Sequence, residues 1–161
     1  MGDNRRFDLF AKVVAKNFPP KNVSAVADIA GGKGQLQIFL RRLGYHQVVT
    51  FDNRKKEHRL KGVMFQRQFF GQQVNSQFDL LLGLHPDEAT DVIIVEAARR
   101  RVPFVVCPCC VLPTASRFDR QPLYRFWLEH LVSLAQRHSF NVLQTALPMA
   151  GKSNVIIGRP R

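Results

Sequence analysis

The chain has 161 residues, 45% of them hydrophobic, which is enough for one domain with a proper core and too apolar for a disordered segment. Lys and Arg number 24 against 12 Asp and Glu, a formal charge of +12, and on a small domain that field attracts polyanions, of which RNA and DNA are the commonest inside cells. The same excess can also serve solubility alone.

No apolar run reaches the roughly eighteen residues of a membrane span, and the first six residues lack the apolar core of a signal peptide. The expectation is a soluble, cytoplasmic protein with no membrane partner. Cys107, Cys109 and Cys110 lie side by side on one segment, which gives no framework for long-range disulfides. With no second Cys or His pair at zinc-finger spacing, no metal site is expected.

In chain order, Phe7, Phe10, Ala11, Val14 and Phe18 recur every three or four residues, predicting a short amphipathic helix that stops at Pro19-Pro20 and packs over the sheet edge or a ligand site. An apolar run over 23–29 reads as a strand, and Asp28-Ile29-Ala30-Gly31-Gly32-Lys33-Gly34 as its glycine-rich exit. A helix follows over 35–43, with Leu36, Phe39, Leu40 and Leu43 on one face and Gly44 as its cap. Such a strand, turn and helix start bring backbone N–H groups close to a nucleotide-like ligand. A second strand over 47–51 ends at Asp52, about twenty residues past the glycines, where a carboxylate can accept hydrogen bonds from ribose hydroxyls.

Residues 54–61 are too charged for a core element and read as a short helix or exposed loop. A third strand is expected over 63–65, leading into Gln68-Phe69-Phe70-Gly71, and a fourth over 78–84, nearly continuously apolar and so covered on both faces. It ends at His85-Pro86-Asp87, before a helix over 88–100. A fifth strand over 103–107 leads to an irregular loop bounded by Pro108 and Pro113. The longest helix, 120–138, is expected to bury Leu123, Phe126, Trp127, Leu131, Leu134 and Ala135. Strands over 140–147 and 153–157 close the chain as an antiparallel pair. The order is βα five times and then a hairpin, which argues for an α/β, doubly wound sheet. All of 1–161 forms one domain, with 1–20 as its N-terminal helix and linker.

Asp28, Gly32 and Gly34 resemble motif I of class I S-adenosylmethionine-dependent methyltransferases, an acidic residue followed by alternating glycines; Ala30 stands where the first glycine usually is. The added methyl is tolerable where φ stays negative. The nicotinamide pattern G-x-G-x-x-G fits worse, since Gly34 is followed by Gln35, Leu36 and Gln37 with no third glycine. The resemblance implies a Rossmann-like, seven-stranded methyltransferase sheet ending in an antiparallel hairpin, with S-adenosylmethionine as cofactor. It implies Asp28, Ala30, Gly31, Gly32 and Gly34 beside the methionine part, Asp52 and Asn53 at the ribose, Gln68 and Phe69 flanking the adenine, and Leu84 and His85 completing the site.

The segment from Gly83 to Asp91, with Cys109-Cys110 after the next strand, is similar to a narrower group: the tRNA 2′-O-methyltransferases that modify the fourth position of the acceptor stem, and related methyltransferase-like proteins. This chain keeps His85, Ala89-Thr90-Asp91 and Cys109-Cys110. Leu84 replaces that group's lysine, Pro86-Asp87 replaces its Leu-Cys, and its zinc-finger extensions are absent.

For the chemistry, His85 and Asp87 are the candidate catalytic residues, able to take a proton from a hydroxyl or amine acceptor or to orient it. Alternatively, His85 bonds backbone or cofactor without proton transfer, and Asp87 caps the following helix. Cys109 or Cys110 can be read as a nucleophile, or as the wall beside the cofactor. Arg5, Arg6, Arg54, Lys55, Lys56 and Arg117 are candidate phosphate contacts, whose binding weakens steeply with salt. The leading reading is a methyltransferase acting on RNA, tRNA or rRNA. Two others stay open: a methyltransferase-like binding module without activity, working with a protein partner, and a small-molecule or protein methyltransferase.

Overall fold

A computed structural model describes residues 5–54, 59–109 and 120–161. Strands β1 (Ala25–Ile29), β2 (Gln47–Phe51), β3 (Met64–Gln66), β4 (Leu80–Leu84), β5 (Phe104–Cys107), β6 (Phe140–Ala146) and β7 (Asn154–Pro160) form one sheet in the order β3-β2-β1-β4-β5-β7-β6. The first five are parallel, and β7 enters antiparallel between β5 and β6. The strand order therefore reverses between β1 and β4, the point at which open α/β sheets leave a crevice beyond their carboxyl ends.

Strands β1, β4 and β5 are buried along their whole length because helices cover both faces. On one face α1 (Arg6–Asn17) and α2 (Gln35–Arg42) place Phe10, Val14, Leu36 and Leu40 on Val26, Leu80, Leu82 and Val105. On the other, α3 (Thr90–Arg100) and α4 (Arg120–Arg137) place Ile93, Ile94, Trp127 and Leu131 on Ala27, Leu81, Phe104 and Ile156. The register sends alternate residues of each strand to opposite cores. No helix among the described residues is long and apolar enough to cross a membrane.

Among the described residues the expected elements recur with four main differences. First, α1 lies over a face of the sheet beside α2, not over its edge, because its Phe10, Ala11 and Val14 stripe is fully buried against the strands. Second, Phe126 is 62% exposed and Tyr124 is buried in its stead. The buried stripe of α4 runs 124, 127, 131, 135, and a residue two positions past its start points to the opposite side. Third, α3 begins at Thr90 after a 3₁₀ turn over Asp87–Ala89.

Fourth, β3 and β4 are joined by an irregular segment, 67–79, where a helix would complete the βα alternation. A connection of that length needs an anchor. Phe70 and Phe78 pack edge-on to Phe51 at 4.9 and 5.6 Å. Arg100, at the end of α3, donates to the carbonyls of Gly71 (3.2 Å), Val74 (2.6 Å) and Ser76 (3.0 Å), and its guanidinium lies over the Phe70 ring. Glu96 holds Arg100 in turn at 3.3 Å, and the two arginines 99 and 100 keep its carboxyl below the usual range in spite of burial.

Candidate functional site

The chain leaves β1 through a turn built on a buried carboxylate. Asp28 is fully buried, and its Oδ2 accepts the Thr50 hydroxyl at 3.0 Å. Gln37 of α2 continues the network: its Nε2 donates to Thr50 Oγ1 (3.1 Å) and to the Met64 carbonyl (3.0 Å), and its Oε1 accepts the Met64 amide (2.8 Å). Three side chains, of Asp28, Thr50 and Gln37, together with the Met64 backbone thus tie β1, β2, α2 and β3 together beneath the turn. Gly31 sits directly on Asp28, where a Cβ would meet Oδ2 at 2.1 Å, so the glycine is required by the carboxylate under it.

Ala30 adopts φ 55°, in the left-handed region. The condition under which the methyl group is tolerable, a negative φ, is therefore not met: the chain must turn off the strand end here, and the residue that does so carries a methyl group. The strain costs about 1–2 kcal/mol in the folded state, whereas Gly at this place costs about 0.4–1 kcal/mol through the unfolded chain. Ala30→Gly is therefore expected to raise stability by about 0.5–1 kcal/mol and Tm by about 1–4 °C in a thermal melt. A lower Tm would show that the methyl group contributes packing that outweighs the strain.

Beyond the turn lies a cavity of about 620 Å³ at the carboxyl ends of β1, β2 and β3 and the start of the β4 exit loop. Ile29, Ala30, Phe51, Phe70, Ala89 and Val92 give it apolar walls, and Phe69, 72% exposed, stands at its rim. Asp52, Asn53, Arg54, Gln68, Asp87 and Glu88 bring polar groups to it. Its size is that of a site for a small ligand or cofactor, about 300–1,000 Å³. Asp52 is buried, its Oδ2 accepting the Gly32 amide at 2.9 Å and its Oδ1 the Arg54 amide at 3.0 Å. The Arg54 guanidinium closes a fork on the same carboxylate, Nε to Oδ1 at 3.2 Å and Nη2 to Oδ2 at 3.0 Å. That bond raises the Arg54 pKa above its ordinary value.

Of the residues expected at a cofactor, Ala30, Asp52, Asn53, Gln68 and Phe69 thus line one cavity. Asp28, Gly31, Gly32 and Gly34 are not among its lining residues; Gly31 sits on Asp28, Gly34 lies against Val63, and Gly32 is joined to the site through its bond to Asp52. Leu84 packs into the core under α1 and α2. Gln68 is steadied by donating to Gln66 Oε1 at 2.7 Å.

The two candidate catalytic residues diverge. Both adopt positive φ, 52° at His85 and 49° at Asp87, a strain of the kind that clusters at functional sites. Asp87 faces the cavity, and its Oδ1 accepts the Cys109 thiol at 3.3 Å. Its carbonyl accepts the Thr90 hydroxyl at 3.1 Å, where α3 begins. His85 is turned to the β6–β7 hairpin, donating from Nε2 to the Lys152 carbonyl at 2.9 Å, and is not among the lining residues. Burial lowers the His85 pKa and the Arg6 charge adds to this, against the raising effects of the Lys152 carbonyl and Asp87. The folded protein therefore prefers neutral His85, and the unfolded chain binds more protons between the lowered value and the ordinary 6.5. Stability is expected to fall as pH drops through that window, and His85→Gln to flatten the Tm profile between about pH 7.5 and 5.5. Parallel profiles for the two proteins would contradict this.

Of the candidate phosphate contacts, Arg5 is the exposed N-terminal neighbour of α1, Arg6 lies over the Phe7 ring at 4.7 Å, and Arg54 is engaged by Asp52. Lys55, Lys56, Arg117 and also Cys110 lie outside the described residues. Among the described residues no group of three His, Cys, Asp or Glu side chains is placed to hold a metal ion.

No protein-family profile matches the chain, and no curated protein matches it in sequence. Solved structures do match its fold. A ribosomal protein L11 methylase from Lactobacillus delbrueckii subsp. bulgaricus superposes with a TM-score of 0.69 at 18% identity, over 100% of this chain and 81% of the other. Precorrin-6y C5,15-methyltransferase from Geobacter metallireducens GS-15 gives 0.66 at 12% identity, over 94% and 87%. The methyltransferase domain of a bacterial CtHen1-CN gives 0.62 at 15% identity, over 97% and 98%. The chain has the seven-stranded, Rossmann-like fold that these methyltransferases share.

Proposed function

We propose that the protein is an S-adenosylmethionine-dependent methyltransferase acting on RNA, with tRNA or rRNA as its substrate class, and that 1–161 acts as one cytoplasmic domain. The observation that carries the reading is Asp52: a buried carboxylate held by the Gly32 amide at the edge of an apolar slot, on the crevice side of the switch point. The residues fit the cofactor's chemistry. Asp52 would accept the ribose hydroxyls, Ile29, Phe51 and Phe70 would enclose the flat base, and Gln68 and Phe69 would flank it at the rim.

Bound there, the cofactor supplies an electrophilic methyl group on a sulfonium. The protein's part is then to position an acceptor in line and to exclude water. Asp87 is the residue of the His85-Pro86-Asp87 loop that can take the acceptor's proton, with Cys109 orienting its carboxylate. The charge of +12 supports a polyanionic substrate, as do the exposed Arg5, Arg42, Arg59, Lys61 and Arg67.

A second reading, a methyltransferase-like binding module working with a protein partner, is favoured by one observation. The His85 ring is committed to the Lys152 carbonyl. Calorimetric titration with S-adenosylmethionine separates the two: saturable binding is expected, and its complete absence would overturn the enzyme reading.

A further inference from the structure

Asp52 already carries at least four hydrogen bonds, from the amides of Gly32 and Arg54 and from two guanidinium N–H groups of Arg54. A carboxylate offers about four lone-pair positions. A further donor can therefore bind well only if one of these leaves. The two amides are fixed by the turn and by the chain itself. The guanidinium is not: Arg54 has 59% of its side chain exposed, against 2% for Asp52, and it sits at the end of a long, rotatable stem on the cavity lining. It contributes two parallel N–H donors, the same number and kind of bond that the two O–H groups of a vicinal diol would make.

We propose that Arg54 is a stand-in for the ribose diol, and that its displacement by the cofactor couples cofactor binding to RNA binding. This rests on the functional reading above. In the pair with Asp52, Arg54 satisfies a buried carboxylate and its own charge is neutralised. When the diol takes Asp52, the guanidinium is released at the mouth of the cavity, where a backbone phosphate of RNA is its natural partner. The cofactor thus adds one phosphate contact, and by linkage RNA strengthens cofactor binding by the same factor. Arg54 acts as a positioning residue in this scheme.

The test uses the full chain, S-adenosylhomocysteine as the cofactor probe and a fluorescein-labelled single-stranded RNA of mixed sequence. Arg54→Ala is expected to bind S-adenosylhomocysteine about three- to tenfold more tightly than the natural protein, since the competing pair is gone. In the natural protein, saturating S-adenosylhomocysteine is expected to steepen the slope of log K for RNA against log salt by about 0.7, the increment of one phosphate on a single strand. In Arg54→Ala the slope should not respond. Arg54→Lys keeps the charge and loses the fork, so it should bind the probe with intermediate affinity and keep the slope response, and it carries the test if the alanine variant folds poorly.

Equal or weaker probe affinity in Arg54→Ala, with binding intact in the natural protein, overturns the stand-in and leaves the cofactor reading in place. Tighter binding with no slope change overturns the coupling. Absence of probe binding in every protein overturns this proposal and the enzyme reading together. Absence of RNA binding in every state overturns the coupling and the RNA reading.

Discussion

Replacing Asp52 by Ala is expected to lower affinity for S-adenosylmethionine by about two orders of magnitude, the effect of losing two hydrogen bonds to a charged acceptor at about 1.5 kcal/mol or more each. The geometry makes this the most sensitive position of the site. Asp52 is the buried acid among the lining residues, and the Gly32 amide fixes the direction in which its oxygens point. Asp52→Asn keeps the shape but turns one acceptor into a donor, so an affinity between those of the alanine variant and the natural protein is expected. Both variants leave the Gly32 amide and Arg54 less satisfied, so each titration belongs with a thermal melt showing that the protein is folded. Unchanged affinity in folded Asp52→Ala would place the ribose elsewhere.

The second large effect concerns stability. Gln37→Leu is expected to cost about 3 kcal/mol and to lower Tm by about 6–12 °C, because the Thr50 oxygen loses a donor and both backbone groups of Met64 lose their side-chain partner together. Leu matches the apolar surroundings of α2, so the loss reads out the hydrogen bonds and not a cavity. Because β3 has three residues and pairs along one side only with β2, the same variant should raise amide exchange at Met64–Gln66 before it affects β1. A Tm shift below about 2 °C would mean that water replaces the amide without penalty.

Hydrophobic patterning made most of the fold legible. Runs such as Leu80–Leu84 and Phe104–Cys107 are apolar throughout because helices cover both faces, and the closing pair β6–β7 followed from its turn. The pattern failed where a long-range contact replaced a local element. Nothing in 67–79 signals that Arg100, on a distant helix, organises that segment through three carbonyls. Phe126 lies two positions past Tyr124, so it points away from the stripe that α4 buries.

At the site, Asp52 and the glycine turn were visible from their spacing, but the roles within the turn were not. The left-handed φ of Ala30 depends on where the strand ends, which sequence locates only to within a residue or two. The Arg54 fork on Asp52 joins residues two apart, so its signal is short-range, yet an Asp and an Arg at that spacing occur on any charged loop. Gln37 gave no signal of its own, since a polar residue between Leu36 and Phe39 reads as solvent-facing, whereas the fold buries it and supplies its partners from β2 and β3. Which way the His85 ring turns is decided by the Lys152 carbonyl, 67 residues away in sequence.

The most direct measurement of the central claim is transfer of labelled methyl groups from S-adenosylmethionine by the purified protein, assayed in parallel on total RNA, a protein extract and a metabolite pool. Label in RNA that disappears with Asp52→Ala is the predicted result. Label only in protein or metabolites would contradict the RNA reading, and no label in any pool from a protein that binds the cofactor would contradict catalysis itself.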